Sequence, residues 1–219
     1  VLKKIGKEAT VVCADPVPEV YHFLPSEEVI RDTFNANRDF YITVDLSNAE
    51  IGNVTHSIEN GKVNIVLSPK KGDISEKNVT FSHGKTKYDL IIVVDTGDPE
   101  QLGKLYADHT ELFFTVPVIN IDHHASNSEF GKVNIVDVTA SSTTEMLYEF
   151  IRSMDGGRNL IDPDTATALL AGIITDTGSF QNANTTPKSL ETAAELVDLG
   201  AAQQDIIKNV YKTKHLSTL

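Results

Sequence analysis

The chain is short of cysteine, of positive charge and of long apolar runs, and each shortage narrows what it can be. One cysteine, Cys13, among 219 residues cannot close an internal disulfide, which fits a reducing compartment and sets the expectation of a cytoplasmic protein. No apolar run reaches the roughly 20 residues of a membrane-spanning helix, so no membrane partner is expected. No charged segment followed by an apolar one opens the chain in the manner of a secretory signal. Only 19 basic residues face 31 acidic ones, a net charge of −12. A surface that negative repels a polyphosphate backbone and argues against tight binding of long nucleic acid. It leaves room for a small phosphorylated ligand whose contact is mediated by cations, which makes metal ions worth looking for. A glycine-rich phosphate loop of the usual spacing is missing too, which counts against a flavodoxin-like receiver or nucleotide-binding module.

What is present is an ordinary globular balance of 40% hydrophobic and 23% charged residues, in a chain long enough for one large domain or two small ones. It opens in mid-pattern: VLKKIGKEATVV reads as the tail of a helix, a cap at Gly6 and a strand. The far end, IIKNVYKTKHLSTL, shows no terminator. The expectation is a piece of a longer protein.

Apolar, β-branched runs predict strands at 10–14, 40–44, 63–67, 89–94, 117–121 and 133–136. Helical patterns fall at about 26–34, 99–107, 142–154, 163–175, 187–199 and 203–212. Asp162-Pro163 is a helix start, Ser142 with Glu145 a capping box, and Gly200 a helix end. From residue 88 onward strands and helices alternate, which predicts an α/β fold: a mainly parallel sheet flanked by helices. The segment 40–87 differs. Turn signals at ENGK (59–62) and PKKGD (69–73) predict an antiparallel hairpin or meander inserted in that frame.

In a parallel sheet every strand ends at the same edge, and ligands bind outside the carboxyl ends. The two most apolar strands end in Asp95 and in Asp122-His123-His124, so these are expected to be central, adjacent and convergent. Carboxylates and imidazoles without a basic residue among them repel unless a cation lies between them. Oxygen with imidazole nitrogen suits Mn²⁺, Zn²⁺ or Fe²⁺ better than Ca²⁺. The apolar helix of TALLAGIITDTGSFQ runs into Asp176, a carboxylate that needs a partner if buried. Taken singly, Asp95 could equally cap the helix near Pro99, and Asp176 could be a surface residue. Two adjacent histidines after an aspartate at a strand end resist such a reading.

These motifs resemble the DHH phosphoesterases: VVDTGD (93–98), NIDHH (120–124) and GIITDTGSFQNANTT (172–186) are similar to three of that family's motifs. ASSTTEMLYEF (140–150) and TPKSLETAAELVDLGA (186–201) resemble the subgroup that degrades very short oligoribonucleotides and dephosphorylates 3′-phosphoadenosine 5′-phosphate. The resemblance implies a DHH domain over 1–219 truncated at both ends, with 40–87 as a β-rich insertion. It lacks the family's first motif, a histidine and two aspartates, and its carboxy-terminal domain. It implies two Mn²⁺ ions in the intact protein, with Mg²⁺, Co²⁺ or Zn²⁺ as substitutes. Asp95 would be shared between the ions, with His123 and Asp176 as further ligands. His124 would contact the scissile phosphate and Asp122 would orient a histidine ring. Ser141 and Ser142, at a helix start, would hold a phosphate or simply cap the helix. Expected partners are a small phosphorylated substrate or very short RNA, and a homodimer at an exposed amino-terminal sheet edge. The competing expectations are a pyrophosphatase, an exopolyphosphatase or a cyclic-dinucleotide phosphodiesterase of the same superfamily, or a non-catalytic domain.

Overall fold

The computed structural model describes residues 1–24, 30–34, 36 and 38–212. The chain divides into two compact units, Val1–Ala36 with Tyr88–Leu219, and Asn37–Lys87. A 3-10 turn over Leu2–Ile5 ends at Gly6, whose φ of 74° is left-handed. Strand β1 (Val11–Val12) pairs in parallel with β2 (Ile30–Arg31). β2 corrects the helix expected over 26–34: pairing with β1 overrides a modest local propensity. The rest of that expectation, at 26–29, lies outside the described residues.

The second unit carries β3 (Phe40–Val44), β4 (Ala49–Glu59), β5 (Lys62–Gly72) and β6 (Val79–His83). β4 and β5 form an antiparallel hairpin, and β3 pairs antiparallel with β6. At the hairpin tip Asn60 and Gly61 have φ of 51° and 72°, the pair of positive values that matches strand twist in a two-residue loop. The turn expected at 69–73 does not form. Pro69 stays in β5 opposite Ile51, where the register shifts, because an irregularity in the ladder accommodates a residue without an N–H. The chain turns only after Gly72, where a Cβ would lie 2.2 Å from the Asn48 carbonyl oxygen.

Returning to the first unit, β7 (Ile91–Val94) is followed by a 3-10 turn over Pro99–Leu102 and helix α1 (Lys104–Ala107). Gly103, with φ 56° and ψ −127°, splits what the pattern reads as one helix. Helix α2 (Thr110–Thr115), not foreseen, leads to β8 (Val118–Asp122) and β9 (Val133–Val136). The sheet order is β7-β8-β9, all parallel. The two apolar strands are therefore adjacent as expected, but only β8 is central; β7 is the outer strand. Beside β7 lies an apolar cavity of about 210 Å³, lined by Val12, Phe34, Leu90, Ile92, Val94 and Leu112 among others.

The helices that follow are α3 (Thr143–Ser153), α4 (Gly157–Leu160), α5 (Pro163–Asp176), α6 (Pro187–Asp198) and α7 (Gln203–Ile207), with a π turn over Lys208–Lys212. Leu170, Ile173, Ile174, Leu196 and Ile206 are fully enclosed, and α5 is the hub of this core. A Cβ on Gly172 would meet the Thr144 side chain at 2.4 Å, so glycine lets α5 lie close against α3. Asp162 caps α5 by accepting from the Thr165 amide at 2.8 Å. Lys4 lies 2.6 Å from the same carboxylate. The bonds from Lys4 and Thr165 hold the Asp162 carboxyl far below the ordinary carboxylate range. Among the described residues no helix is long and apolar enough to cross a membrane.

Candidate metal centre

The parallel ladder runs one residue past β7, where the Asp95 amide donates to the Ile121 carbonyl at 2.9 Å. Asp95 then takes a φ of 56°, a left-handed conformation that costs a non-glycine residue roughly 1 kcal/mol and persists where surroundings enforce it. Its carboxylate accepts from the Thr143 hydroxyl at 2.7 Å. Asp95 does not cap the helical turn at Pro99. Asp98 does, accepting from the Glu100 amide at 2.9 Å.

β8 ends in Asp122, which is fully buried. Its two carboxylate oxygens accept from His124 Nδ1 and Asn127 Nδ2, each at 2.7 Å. Burial would raise this carboxyl, but the bonds from Asn127 and His124 outweigh it and hold it below its ordinary value. The same hydrogen bond to Asp122 pushes His124 upward against the effect of burial. An ionised carboxylate only accepts, so Nδ1 of His124 carries its proton.

His123 Nδ1 lies 3.3 Å from the Ala140 carbonyl oxygen. A carbonyl also only accepts, so Nδ1 is the donor and a neutral ring keeps its lone pair on Nε2. That Nε2 is 3.6 Å from Asp95 Oδ1 and 3.8 Å from Asp176 Oδ2. When the ring is neutral a nitrogen lone pair faces two carboxylates at separations too long for good hydrogen bonds, and among the described residues no lysine or arginine pairs with either. A cation between them removes the repulsion.

Asp176 ends α5, and its carboxyl is raised first by burial and then by the neighbouring charge of Asp95. Beyond it Gly178, Ser179 and Phe180 take φ of 57°, 60° and 64°. This left-handed run turns the chain sharply away from the helix axis. Asn182 and Asn184 each donate to the Asp176 carbonyl at 3.2 Å, and Asn184 also donates to the Ser141 carbonyl at 3.0 Å.

Ligand atoms of Asp95, His123 and His124 all lie within 4.8 Å of one another, and Asp176 joins them through His123. Asp122 stands behind His124. Ser141 and Ser142 are different. Both are fully buried, and the Ser141 amide and hydroxyl both donate to the Glu145 carboxylate. Ser142 Oγ accepts from the Glu145 amide at 3.1 Å. The Ser141 amide and hydroxyl and the Ser142 hydroxyl oxygen are thus engaged in capping α3. Sequence reasoning passed over Thr143, Asn127 and Asn184. Thr143 sits inside the SSTTE run already singled out for its serines. The two asparagines lie in short polar stretches, SNSE and NANTT, directly after the site residues.

Over 132 residues the chain is 43% identical to the bifunctional oligoribonuclease and PAP phosphatase NrnA of Thermus thermophilus, covering 60% of this chain and 36% of that protein. It is 33% identical over 126 residues to the Bacillus subtilis protein of the same description, covering 57% of this chain and 38% of that protein. An exopolyphosphatase-related protein from Bacteroides fragilis superposes with a TM-score of 0.54 at 26% identity, over 60% of this chain and 38% of that one. The chain therefore spans little more than a third of the length of these relatives. Residues 2–173 match the DHH family, N-terminal domain, and the chain belongs to that family.

Proposed function

We propose that this chain is the metal-binding part of a cytoplasmic, Mn²⁺-dependent phosphoesterase. Its substrates are short oligoribonucleotides or small nucleotides such as 3′-phosphoadenosine 5′-phosphate. The observation that carries the reading is His123 Nε2, which faces Asp95 and Asp176 at 3.6 and 3.8 Å with its other nitrogen tied to a carbonyl. Carboxylate oxygens around one imidazole nitrogen form a donor set suited to Mn²⁺, with Mg²⁺, Co²⁺ or Zn²⁺ as substitutes. Similarity to the two NrnA proteins supports the substrate class.

Asp95, His123 and Asp176 hold the metal. A divalent cation bound there supplies positive charge against a phosphate and lowers the pKa of a bound water. The chain's own residues supply the rest. Asp122 fixes the ring of His124 through Nδ1, a supporting contact that sets both tautomer and orientation. His124 contacts the scissile phosphate and balances charge that develops in the transition state. Asn127 holds the other oxygen of Asp122, so the pair does not swing. A homodimer formed at an exposed amino-terminal sheet edge is part of the same proposal. A monomer in light scattering at high concentration counts against the dimer.

Hydrolysis of a labelled ribodinucleotide, 3′-phosphoadenosine 5′-phosphate, a cyclic dinucleotide and pyrophosphate tests this reading. It is measured with and without Mn²⁺, on the full-length protein and its Asp95→Ala variant. Mn²⁺-dependent cleavage of the first two is expected, lowered in the variant by at least the roughly 10–100-fold that loss of an outer-shell partner costs. Cleavage of pyrophosphate or the cyclic dinucleotide alone would reassign the substrate. Undiminished activity in the variant would contradict the site.

A further inference from the structure

The candidate ligands come from three separate places, the end of β7, the end of β8 and the end of α5, and one turn touches the first two directly and reaches the third through Asn184. That turn is 140–143, leading into α3. The Thr143 hydroxyl donates to Asp95 Oδ1 at 2.7 Å. The Ala140 carbonyl accepts from His123 Nδ1 at 3.3 Å. The Ser141 carbonyl accepts from Asn184, whose amide also reaches the Asp176 carbonyl. The turn is itself held rigidly. Ser141, Ser142, Thr143 and Glu145 are all buried. The Glu145 carboxylate gathers the Ser141 amide and hydroxyl, and the Ser142 side chain accepts from the Glu145 amide.

We infer that Thr143 is a positioning residue for Asp95, and that the 140–143 turn, with Asn184 as its link to Asp176, is the shared brace of the metal centre. The inference rests on the metal-centre reading above and adds residues to it. Asp95 has the greatest need of such a brace. Its backbone is left-handed, its side chain is half exposed, and the Thr143 hydroxyl is a neutral donor that takes a single position on one oxygen. The other carboxylate oxygen and the rest of the first one's coordination space stay open. A lysine or arginine in place of that donor would neutralise the carboxylate and compete with a cation. A threonine orients it without doing so. Buried supporting hydrogen bonds of this kind are worth on the order of 10–100-fold in metal affinity. The buried serine–glutamate cap holds this turn, so a shift of the turn would disturb Asp95 and His123 directly and Asp176 through Asn184.

The test compares wild type, Thr143→Val, Thr143→Ser and Asn184→Ala by metal-free crystal structures and by Mn²⁺ titration followed by electron paramagnetic resonance. In Thr143→Val the Asp95 carboxylate is expected to leave its place beside His123 Nε2, and Mn²⁺ affinity to fall on the order of 10–100-fold. Thr143→Ser restores both to near wild type, which a merely structural role for the threonine methyl would not do. Asn184→Ala, on the exposed side of the loop, is expected to weaken Mn²⁺ several-fold and carries the test if the valine variant does not fold. An unmoved Asp95 with unchanged Mn²⁺ affinity in Thr143→Val, or no effect of Asn184→Ala where the valine variant fails, would overturn the inference. Wild type that takes up no Mn²⁺ while Asp95 still swings free in Thr143→Val would instead refute the metal reading and leave the positioning role standing.

Discussion

The two units of this chain are held together in opposite ways. In Val1–Ala36 with Tyr88–Leu219, helices α3, α5, α6 and α7 enclose an apolar core in which Leu170, Ile173 and Leu196 have essentially no exposed surface. In Asn37–Lys87 no described residue is buried, and Val54, Ile58, Val63 and Phe81 keep 57%, 72%, 63% and 66% of their surface exposed. Ladder hydrogen bonds and cross-strand pairs such as Ile58 with Val63 hold that second unit, and two-stranded ribbons of this kind are marginal in water. Charge divides along the same line. Residues 37–87 carry 7 basic and 6 acidic side chains, and the remaining residues carry 12 and 25. The acidity therefore belongs to the unit with the candidate metal centre, where uncompensated carboxylates raise the local demand for cations. A buried core and net negative charge coincide in the unit that carries the candidate site; the β ribbon has neither.

The comparison can be broken most easily by core truncation. Leu170→Ala in α5 is expected to cost about 2–5 kcal/mol, against less than about 0.5 kcal/mol for Ile58→Ala in β4. Denaturant unfolding measures both, and equal losses would show that the ribbon contributes to a common core. Native-state hydrogen exchange should separate the units next. Amides of α5 and α6 are expected to exchange only through global unfolding, while β4 and β5 open several kcal/mol more readily. Uniform protection would contradict the contrast.

The smallest effect concerns Tyr148, buried in the helical core and donating to Glu195. Burial and Glu195 push its phenol up to about 12. A folded pKa above the unfolded value of roughly 10 favours the native state below pH 10, and that contribution is lost as pH rises toward 12. Stability should fall on the order of 1–2 kcal/mol over that window. Tyr148→Phe should flatten the fall, and an unchanged alkaline slope in that variant would refute it.

The site was more legible than its support. Asp95, Asp122, His123, His124 and Asp176 stand at the ends of strongly apolar segments, where a polar residue is conspicuous and topology decides what it faces. Thr143 and Asn184 have no such mark, because a threonine after a capping serine and an asparagine in a polar loop are commonplace until the three-dimensional distances are known. The serines were ambiguous for a related reason. A helix start offers amides to a phosphate or to its own cap, and only the position of the Glu145 carboxylate distinguishes the two. In the fold, α5 and α6 were readable from capping and long apolar faces. β2 was not, because two residues of parallel pairing leave almost no periodic signal. The turn at 69–73 was misplaced because Pro69 suits a bulged ladder as well as a turn.

The most direct test of the metal centre is a Mn²⁺ titration of the chain followed by electron paramagnetic resonance, with wild type beside Asp95→Asn and Asp176→Asn. Convergence of Asp95, His123 and Asp176 predicts Mn²⁺ binding by wild type and, in each variant, a loss at least as large as the roughly 10–100-fold that removal of an outer-shell partner costs. Equal Mn²⁺ binding by all three proteins, or binding by none, would contradict it.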